Sequence, residues 1–339
     1  MPVTMKADVL HMIETMYDVE SNEKTWLSRL AQSADEVLGC GRGVIANVYD
    51  VSSPGTIHVD AAASGVAPGF FEFFMKTSEQ LDESYIIRSY MSSTACALTS
   101  EFAGWTDLPF VRSGELRQRE IADDLILRGW EPGGHGVTLN FFQPAPTRLT
   151  ATRRQHLSMI ASHLGAAYRL RRRLGDHGRP ADAVEAVLDA RGRVHHAAGR
   201  AEETAARAQL RSAVAEMEYV RSKLRATDPD HALTRWKALV KARWSLVDEF
   251  QEGSRRYIVA YINEIGPRGP ESLTDRERQV AIYVAAGHWT KLIAYHLGIS
   301  DSTVRVLLGR VKSKLGVKSR EELRRIVSTW STPANSGTE

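Results

Sequence analysis

The chain has 339 residues, of which 43% are hydrophobic and 25% charged, and its formal net charge is +3. This length allows two or three domains, and the composition excludes a disordered or fibrous chain. No run approaches the ~20 apolar residues of a membrane-spanning helix, so no membrane contact is predicted. Cys40 and Cys96 form no C-x-x-C pair, which argues against a zinc site or a disulfide framework. The acidic N-terminus lacks the apolar run of a signal peptide, and the cytoplasm is the expected location.

Helical and strand patterns alternate over residues 1–174, the predicted first module. Apolar residues at three- and four-residue steps predict helices, and alternating or β-branched runs predict strands. Residues 121–127 fit a strand or a helix equally well. The other elements predicted here are helices over 9–17 and 26–38, strands over 43–50 and 56–62, a helix over 70–75, a strand over 137–143 and a long helix over 151–174.

The order of these elements suits an α+β sensor module, and it resembles a GAF-type domain in pattern, not in motif. The resemblance implies a ligand- or partner-sensing role. The alternative is a purely structural domain that holds a dimer together. The aromatic cluster of Phe70, Phe71, Phe73 and Phe74 is expected to be core, and a ligand cage is its alternative reading.

Residues 175–265 form the predicted middle module, which begins with a polar Gly/Pro-containing linker over 175–182. The predicted elements are two strands within 184–197, helices over 203–225 and 231–242, and a closing strand pair over 244–250 and 255–263. This outline resembles a small α+β PAS-like domain. His195 and His196 are neighbours on a strand and point to opposite faces, so no metal site and no cofactor is predicted.

The C-terminal stretch 271–330, after an inter-domain linker at 266–270, carries the clearest local signals. Thr274 and Glu277 form a T-x-x-E capping box at the start of a helix, and Gly287 ends that helix. A second helix runs over 290–297, and Gly298 breaks it. Four helices are predicted in all, and residues 331–339 are expected to be a flexible tail.

A helix-turn-helix is predicted within this stretch. Two helices are joined by the short turn Gly298-Ile299-Ser300, and Ala294 is small enough for the helices to cross closely. Ser300 caps the third helix, whose core side repeats Val304, Leu307, Leu308, Val311 and Leu315. Ser319 and Glu322 form a capping box for the last helix.

Positive charge is concentrated on this stretch. Residues 271–325 carry eleven Lys and Arg against six Asp and Glu, a net charge of +5, whereas the whole chain is only +3. The third helix has no carboxylate after Asp301. Such a basic face is what binding to nucleic-acid phosphates requires.

These residues resemble the LuxR/GerE-type DNA-binding domain of bacterial transcription regulators. The resemblance rests on Leu273-Thr274-x-Arg276-Glu277-Arg278, Lys291-x-Ile293-Ala294, Leu297-Gly298-Ile299-Ser300, Thr303-Val304-Arg305 and Lys314-Leu315-Gly316-Val317. Two positions depart from the family pattern. Leu292 stands where the family usually has Glu, and Leu307 stands where it usually has His. Gly309 is a bare position on the face that reads bases, so the target sequence cannot be taken from a relative.

The expected fold class is therefore α+β multidomain, with a GAF-like module, a PAS-like module and an all-α four-helix helix-turn-helix domain. The resemblance implies that the third helix lies in the major groove, where Arg305, Val306 and Gly309 face base edges. It also implies a homodimer formed through Leu323, Ile326 and Val327 of the last helix. The residues assigned to DNA binding are Lys291, Ser300, Thr303, Val304, Arg305, Val306, Gly309, Arg310, Lys312, Lys314 and Arg320.

No enzyme is predicted, because no nucleotide-binding loop, hydrolase, metalloprotease, kinase or dinucleotide motif is present in the sequence. Adjacent acids occur at Asp35-Glu36, Asp82-Glu83 and Asp123-Asp124, but none closes a first strand in the order that a phosphorylation receiver needs. The Trp/Tyr/Asp pattern of an acyl-homoserine-lactone pocket is not found either. The favoured function is a sequence-specific, double-stranded-DNA-binding transcriptional regulator, whose N-terminal region senses an unknown small-molecule ligand or a partner. RNA polymerase is a further candidate partner. The alternative is a constitutive dimeric DNA-binding protein with a purely structural N-terminal region.

Overall fold

Three groups of elements follow one another along the chain in the computed structural model. It describes residues 8–51, 58–81, 85, 94–102, 104–130, 135–177, 183–240, 243–252, 255–263, 273–315, 317 and 319–329. The linker predicted at 266–270 and the tail predicted at 331–339 lie outside these residues.

The first group is built on a five-stranded antiparallel sheet of order β2-β1-β5-β4-β3. Its strands are β1 (Val44–Asp50), β2 (His58–Ser64), β3 (Cys96–Leu98), β4 (Asp123–Trp130) and β5 (His135–Gln143). Residues 121–127, which fit two structures in the sequence, therefore contribute to a strand. The helices are α1 (Val9–Met16), α2 (Glu23–Leu38), α3 (Phe70–Ser78), α4 (Pro109–Arg112), α5 (Glu115–Gln118) and α6 (Ala151–His177).

The two faces of this sheet are covered differently. Successive residues of a strand point to opposite faces, and Leu125 and Leu127 of β4 face the core shared with α2 and α6. On the opposite face, Ile45 and Phe142 pack against Phe70 of α3 in a smaller apolar cluster. Phe142 and Phe70 meet edge to face with their ring centres 4.6 Å apart, a favoured aromatic geometry.

The second group repeats the same sheet plan. Its strands are β6 (Val184–Asp189), β7 (Val194–Ala197), β8 (Leu239–Val240), β9 (Trp244–Glu252) and β10 (Arg255–Ile262), in the order β7-β6-β10-β9-β8. Both sheets thus place their second, first, fifth, fourth and third strands side by side. Helix α7 (Thr204–Tyr219) continues into a π-helical turn, and α8 (Pro229–Arg235) follows.

The helix predicted over 231–242 is wrong in its second half. The helix ends at Arg235, and Trp236 takes an extended backbone with ψ of 118°. Trp236 is 2% exposed, and Leu239 and Val240 form the edge strand β8, which pairs with β9. Burial of the indole and the pairing of this edge strand outweigh local helical preference.

The third group consists of α9 (Asp275–Ala285), α10 (Thr290–Leu297), α11 (Asp301–Leu315) and α12 (Arg320–Thr329). These helices enclose an apolar cluster of their own, formed by residues between Leu273 and Val327. The first two groups share a single larger cluster, to which α6 contributes along its length. The boundary predicted at 174/175 falls inside α6. Among the described residues, no helix is both long and apolar enough to cross a membrane.

Candidate DNA-binding site

The first helix of the C-terminal domain starts as its sequence predicts. The hydroxyl of Thr274 accepts a hydrogen bond from the backbone N–H of Glu277 at 3.3 Å, and the Glu277 carboxylate accepts one from the backbone N–H of Thr274 at 2.9 Å. Lys314 also donates to this carboxylate at 2.6 Å. These hydrogen bonds, the one from Lys314 first, lower the pKa of Glu277. The capping box is confirmed, and it also ties α9 to the end of α11.

The turn between α10 and α11 is set by Gly298, Ile299 and Ser300. Gly298 has a φ of +61°, a left-handed conformation that glycine adopts without a steric penalty. Ile299 packs against the core of the domain, and the Ser300 hydroxyl accepts a hydrogen bond from the backbone N–H of Thr303 at 3.1 Å. The turn therefore fixes the angle at which α11 leaves α10, as a helix-turn-helix requires.

Helix α11 separates its core side from its outer side cleanly. Val304 and Val311 are fully buried, and Leu307, Leu308 and Leu315 pack against the same cluster. Val304 thus anchors the helix, and its side chain does not face solvent. The outer side is formed by Arg305, Val306, Gly309 and Arg310, which are all exposed.

The outer side of α11 combines an exposed valine, an exposed arginine and a glycine with open space around it. Val306 is 55% exposed and is one of the few large hydrophobic side chains that the described surface presents to water. The side chain of Arg305 is 68% exposed and pairs with Asp301 one turn earlier. A side chain placed at Gly309 would meet nothing within 4 Å. The outer side of α11 thus places two exposed cationic side chains, one exposed apolar side chain and one bare glycine next to one another.

The other residues assigned to DNA surround this face. Lys291, Ser300, Thr303, Lys314 and Arg320 are exposed, and Lys312 is half-buried. Lys314 is held by Glu277, as described above. The three residues assigned to dimerisation pack inside the domain: Leu323 and Val327 are buried and Ile326 packs against the same core. The outer side of α12 carries Arg320, Glu321, Glu322, Arg324 and Arg325 instead.

Comparison with known families identifies this domain. Residues 271–327 match the family described as bacterial regulatory proteins, luxR family. The C-terminal domain is a LuxR-family domain. The transcriptional regulatory protein UhpA of Escherichia coli (strain K12) is 46% identical over 61 residues, which are 18% of this chain and 31% of UhpA. The similarity to this relative thus covers less than a third of its length.

Two solved structures align over most of the chain, but only loosely. A crystal structure of Escherichia coli SdiA is 9% identical, with a TM-score of 0.30, over 93% of this chain and 94% of SdiA. A structure of SdiA in complex with octanoyl-rac-glycerol is 11% identical, with a TM-score of 0.28, over 95% and 92% of the two chains. Likeness at this level carries no argument about fold or ligand.

The LuxR-family domain packs against the rest of the chain through α10. Leu292 is 3% exposed and belongs to the large cluster of the first two groups, not to the core of its own domain. Trp289 and Tyr295 pack against the same cluster, and α10 contacts α6 and β8. We call this surface of α10, with Leu292, Tyr295 and His296 at its centre, the interdomain contact.

A buried chain of hydrogen bonds runs through the interdomain contact. His163 of α6 lies between two tyrosines, with Nδ1 3.2 Å from the hydroxyl of Tyr17 and Nε2 3.1 Å from that of Tyr295. Tyr295 also donates to the carbonyl of Trp236 at 3.4 Å. A single tautomer satisfies all three bonds: Tyr17 donates to Nδ1, and Nε2–H donates to Tyr295.

The histidines in this contact are held neutral. Burial lowers the pKa of His163 to about 3, with the nearby ammonium of Lys237 as a smaller cause. Burial also lowers the pKa of His296 well below its ordinary value. The Nε2 atom of His296 lies 2.7 Å from the Ser162 hydroxyl of α6. A protonated imidazolium in this place would be a charge buried without a counter-ion, which is costly.

Two of the residues assigned to phosphate contact face the middle module. Lys291 and Ser300 line a groove of about 630 Å³ whose far wall includes Gln209 and Glu216 of α7. A groove of this size admits a small molecule, not a duplex. In this arrangement the middle module therefore stands beside one end of the helix-turn-helix.

Sequence reasoning missed the interdomain contact. Its one visible signal was the departure of Leu292 from the family pattern, because an apolar residue at a position that is usually charged indicates a covered surface. The surface that covers α10 comes from α6 and β8, which are distant from Leu292 in the sequence, and no local pattern identifies it.

Proposed function

We propose that the protein is a sequence-specific, DNA-binding transcriptional regulator whose N-terminal and middle modules gate its LuxR-family domain. The observation that carries the proposal is the exposed cationic face of α11 on a helix-turn-helix with its own apolar core. The proposal includes no enzymatic activity, and it places the protein where DNA is, in the cytoplasm.

In the proposed complex α11 lies in the major groove. Arg305 is able to donate two hydrogen bonds to one guanine, and Val306 and Gly309 lie on the same outer side over base edges. Arg310 reads a base or contacts a phosphate. The residues proposed to hold the phosphate backbone are Lys291, Ser300, Thr303, Lys312, Lys314 and Arg320.

We further propose that the protein binds as a homodimer on a two-fold symmetric site. Leu323, Ile326 and Val327 set the position of α12 from inside the domain, and a partner copy meets the exposed charged side of this helix. RNA polymerase remains a candidate partner at the promoter.

Gating is proposed to act through the interdomain contact. The first helix of a helix-turn-helix crosses the DNA backbone, and this helix is α10, whose Leu292, Tyr295 and His296 are covered here. Lys291 and Ser300 line a groove whose far wall is α7 of the middle module, so that module occupies space beside two residues proposed to hold phosphate. Full engagement of DNA then requires the modules to separate, and a ligand or partner that favours separation activates binding.

Binding of a labelled duplex, chosen by selection from random DNA, tests the proposal. We expect Arg305→Ala to lose roughly 1–3 kcal/mol on the selected sequence and to relax preference at one base pair. Arg29→Ala, which removes an exposed arginine of α2, is the matched control and is expected to bind as the wild type does. Equal weakening by Arg305→Ala on all sequences would make Arg305 a phosphate contact, and no effect at all would remove α11 from the site.

The constitutive alternative makes a different prediction. If the first two modules only hold a dimer, the isolated stretch 266–339 binds the selected sequence more weakly than the full chain. If they gate the domain, the isolated stretch binds at least as well, because its α10 is free of the interdomain contact.

A further inference from the structure

A cavity lies on the face of the first sheet that is turned away from α6. Its wall is aromatic, with Phe70, Phe73 and Phe74 on α3 and Phe142 on β5. Trp105 completes this side. The sequence assigns the aromatic cluster to the core. In the structure it packs with Phe142 and Ile45, and it also borders an open space.

The floor of the cavity is polar, although it is buried. The hydroxyl of Thr138 lies 2.7 Å from the side-chain oxygen of Asn47 and 3.0 Å from that of Asn140. The amide of Asn140 donates to Oδ2 of Asp124 at 2.6 Å. All four side chains are 6% exposed or less. A buried polar chain beneath an apolar wall is costly to keep in a purely structural core, and it is the usual make-up of a small-molecule site.

This series of hydrogen-bonded side chains ends at the carboxyl group of Asp124. Oδ1 of Asp124 is buried and has no hydrogen-bond partner among the described residues. Burial, more than the neighbouring charge of Asp123, raises the pKa of Asp124 to about 8, so the carboxyl group is mostly protonated at pH 7. Because Oδ2 accepts the Asn140 amide, the proton belongs on Oδ1. The cavity thus presents an O–H donor that lacks an acceptor.

The charge around this donor is positive. Arg128 is on the same face of β4, lines the cavity and is 3% exposed. Its guanidinium stays charged in any protein environment. Of the described residues that line the cavity, the titratable ones are Asp124, Arg128 and Tyr85. Asp123 points to the opposite face, where the hydroxyl of Thr99 donates to it at 3.0 Å. An anionic acceptor is therefore favoured over a cation.

The size of the cavity limits the ligand. About 60 Å³ of it is open to the centre of a water molecule, which corresponds to roughly four waters. This space suits one substituted ring and excludes a long acyl chain.

We propose that this cavity binds a monocyclic aromatic carboxylate, whose ring lies among Phe70, Phe74 and Phe142 and whose carboxylate accepts from Asp124 in the field of Arg128. The ligand class does not depend on DNA binding. Only its consequence, a change in the affinity of the LuxR-family domain for DNA, rests on the proposed function.

Calorimetric titration of the full chain at pH 7 tests the proposal. The probes are benzoate, benzyl alcohol and benzylamine, which share one ring but are negative, neutral and positive. We expect benzoate to bind at least tenfold more tightly than benzylamine, with benzyl alcohol between them. Asp124→Ala should weaken benzoate at least tenfold. Asp189→Ala, which removes a carboxylate at the end of β6 in the second sheet, is the control and should not. Preference for benzylamine, or equal binding by Asp124→Ala, would overturn the proposal, as would the absence of benzoate binding.

The pH dependence separates a specific site from a mere effect on folding. Since the protonated form of Asp124 is the donor, benzoate affinity should fall about tenfold between pH 7 and pH 9 as this group titrates. Asp124→Asn keeps an N–H donor in the same place, so it should bind benzoate with no such fall. A fall of the same size in Asp124→Asn would contradict the assignment. A protein that binds benzoate but no DNA would refute the proposed function alone.

Discussion

Replacing Leu292 by glutamate should release the LuxR-family domain from the rest of the chain. Leu292 is 3% exposed, and its neighbours belong to the core of the first two modules. Removing its apolar surface from that core forfeits ~1.5–3 kcal/mol, and a carboxylate without a partner adds a further penalty. A loss of about 3 kcal/mol shifts the equilibrium between packed and separated modules more than 100-fold. Since Leu292 lies outside the core of its own domain, that domain should stay folded.

The assay compares DNA affinity in three proteins: the full chain, its Leu292→Glu variant and the stretch 266–339. Under the gating account, the variant binds the selected duplex more tightly than the wild type and approaches the isolated stretch. Limited proteolysis should cut the variant faster between residues 263 and 273. Leu292→Met is the matched control, because a swap of similar volume in an apolar site costs less than ~1.5 kcal/mol, and it should behave as the wild type.

The reasoning is refuted if Leu292→Glu is cut faster, which shows that the modules have separated, and yet binds DNA no better. The variant could instead bind DNA more weakly than the wild type. If the same substitution leaves the melting temperature of the isolated stretch unchanged, this result would point to a direct role of Leu292 in the complex with DNA.

Three further predictions follow from the same structure. Gly309→Ala should stabilise the domain by roughly 0.5–1 kcal/mol in thermal unfolding, because the added methyl group meets nothing and alanine favours a helix. The substitution should also change the DNA sequence that is selected. An unchanged sequence would show that Gly309 does not lie on the base-reading face. The interdomain contact should weaken as the pH falls below ~6.5, because His163, with its pKa lowered to about 3, is neutral when packed and regains its ordinary pKa when exposed. At pH 5 about 2 kcal/mol is lost, seen as lower protection of the α10 amides once each hydrogen-exchange rate is divided by the intrinsic rate at that pH. Protection factors that do not change with pH would contradict this. Glu277→Gln should lower the melting temperature of the domain. The difference from the wild type should shrink at low pH, since the Glu277 carboxylate, whose pKa is lowered, contributes to stability only while it is ionised. A difference that stays constant with pH would mean that the charge of Glu277 does not contribute to stability.

The C-terminal domain could be predicted in detail because its signals are local. The capping box at Thr274 and the left-handed Gly298 depend on residues within one turn of the chain. The apolar spacing of α11 likewise reports its buried side directly, and Val304 and Val311 are where the pattern places them. The surface through which two copies of the chain meet is not encoded in a local pattern. The roles of Leu323, Ile326 and Val327 in dimerisation remain predictions.

The first two modules were predicted as a list of elements, not as an arrangement. Strand alternation separates Asp123 from Asp124, but only the register of β4 against β5, which sets Asp124 opposite Phe142 and Ile126 opposite Asn140, brings Asn140 beside the Asp124 carboxyl. That register depends on contacts far apart in the chain. Trp236 shows the opposite failure: local preference extended a helix through it, and burial ended that helix. The GAF-like and PAS-like assignments remain predictions, although both sheets have the same strand order.

The most direct test of the account is selection of bound sequences from random double-stranded DNA, with the full chain and residues 266–339 side by side. The account predicts that both proteins select the same two-fold symmetric sequence, and that the shorter one binds it at least as tightly. Selection of one sequence, with weaker binding by the shorter protein, would contradict gating and leave a constitutive DNA-binding protein. If neither protein selects any sequence, the exposed face of α11 does not read DNA, and the central claim is wrong.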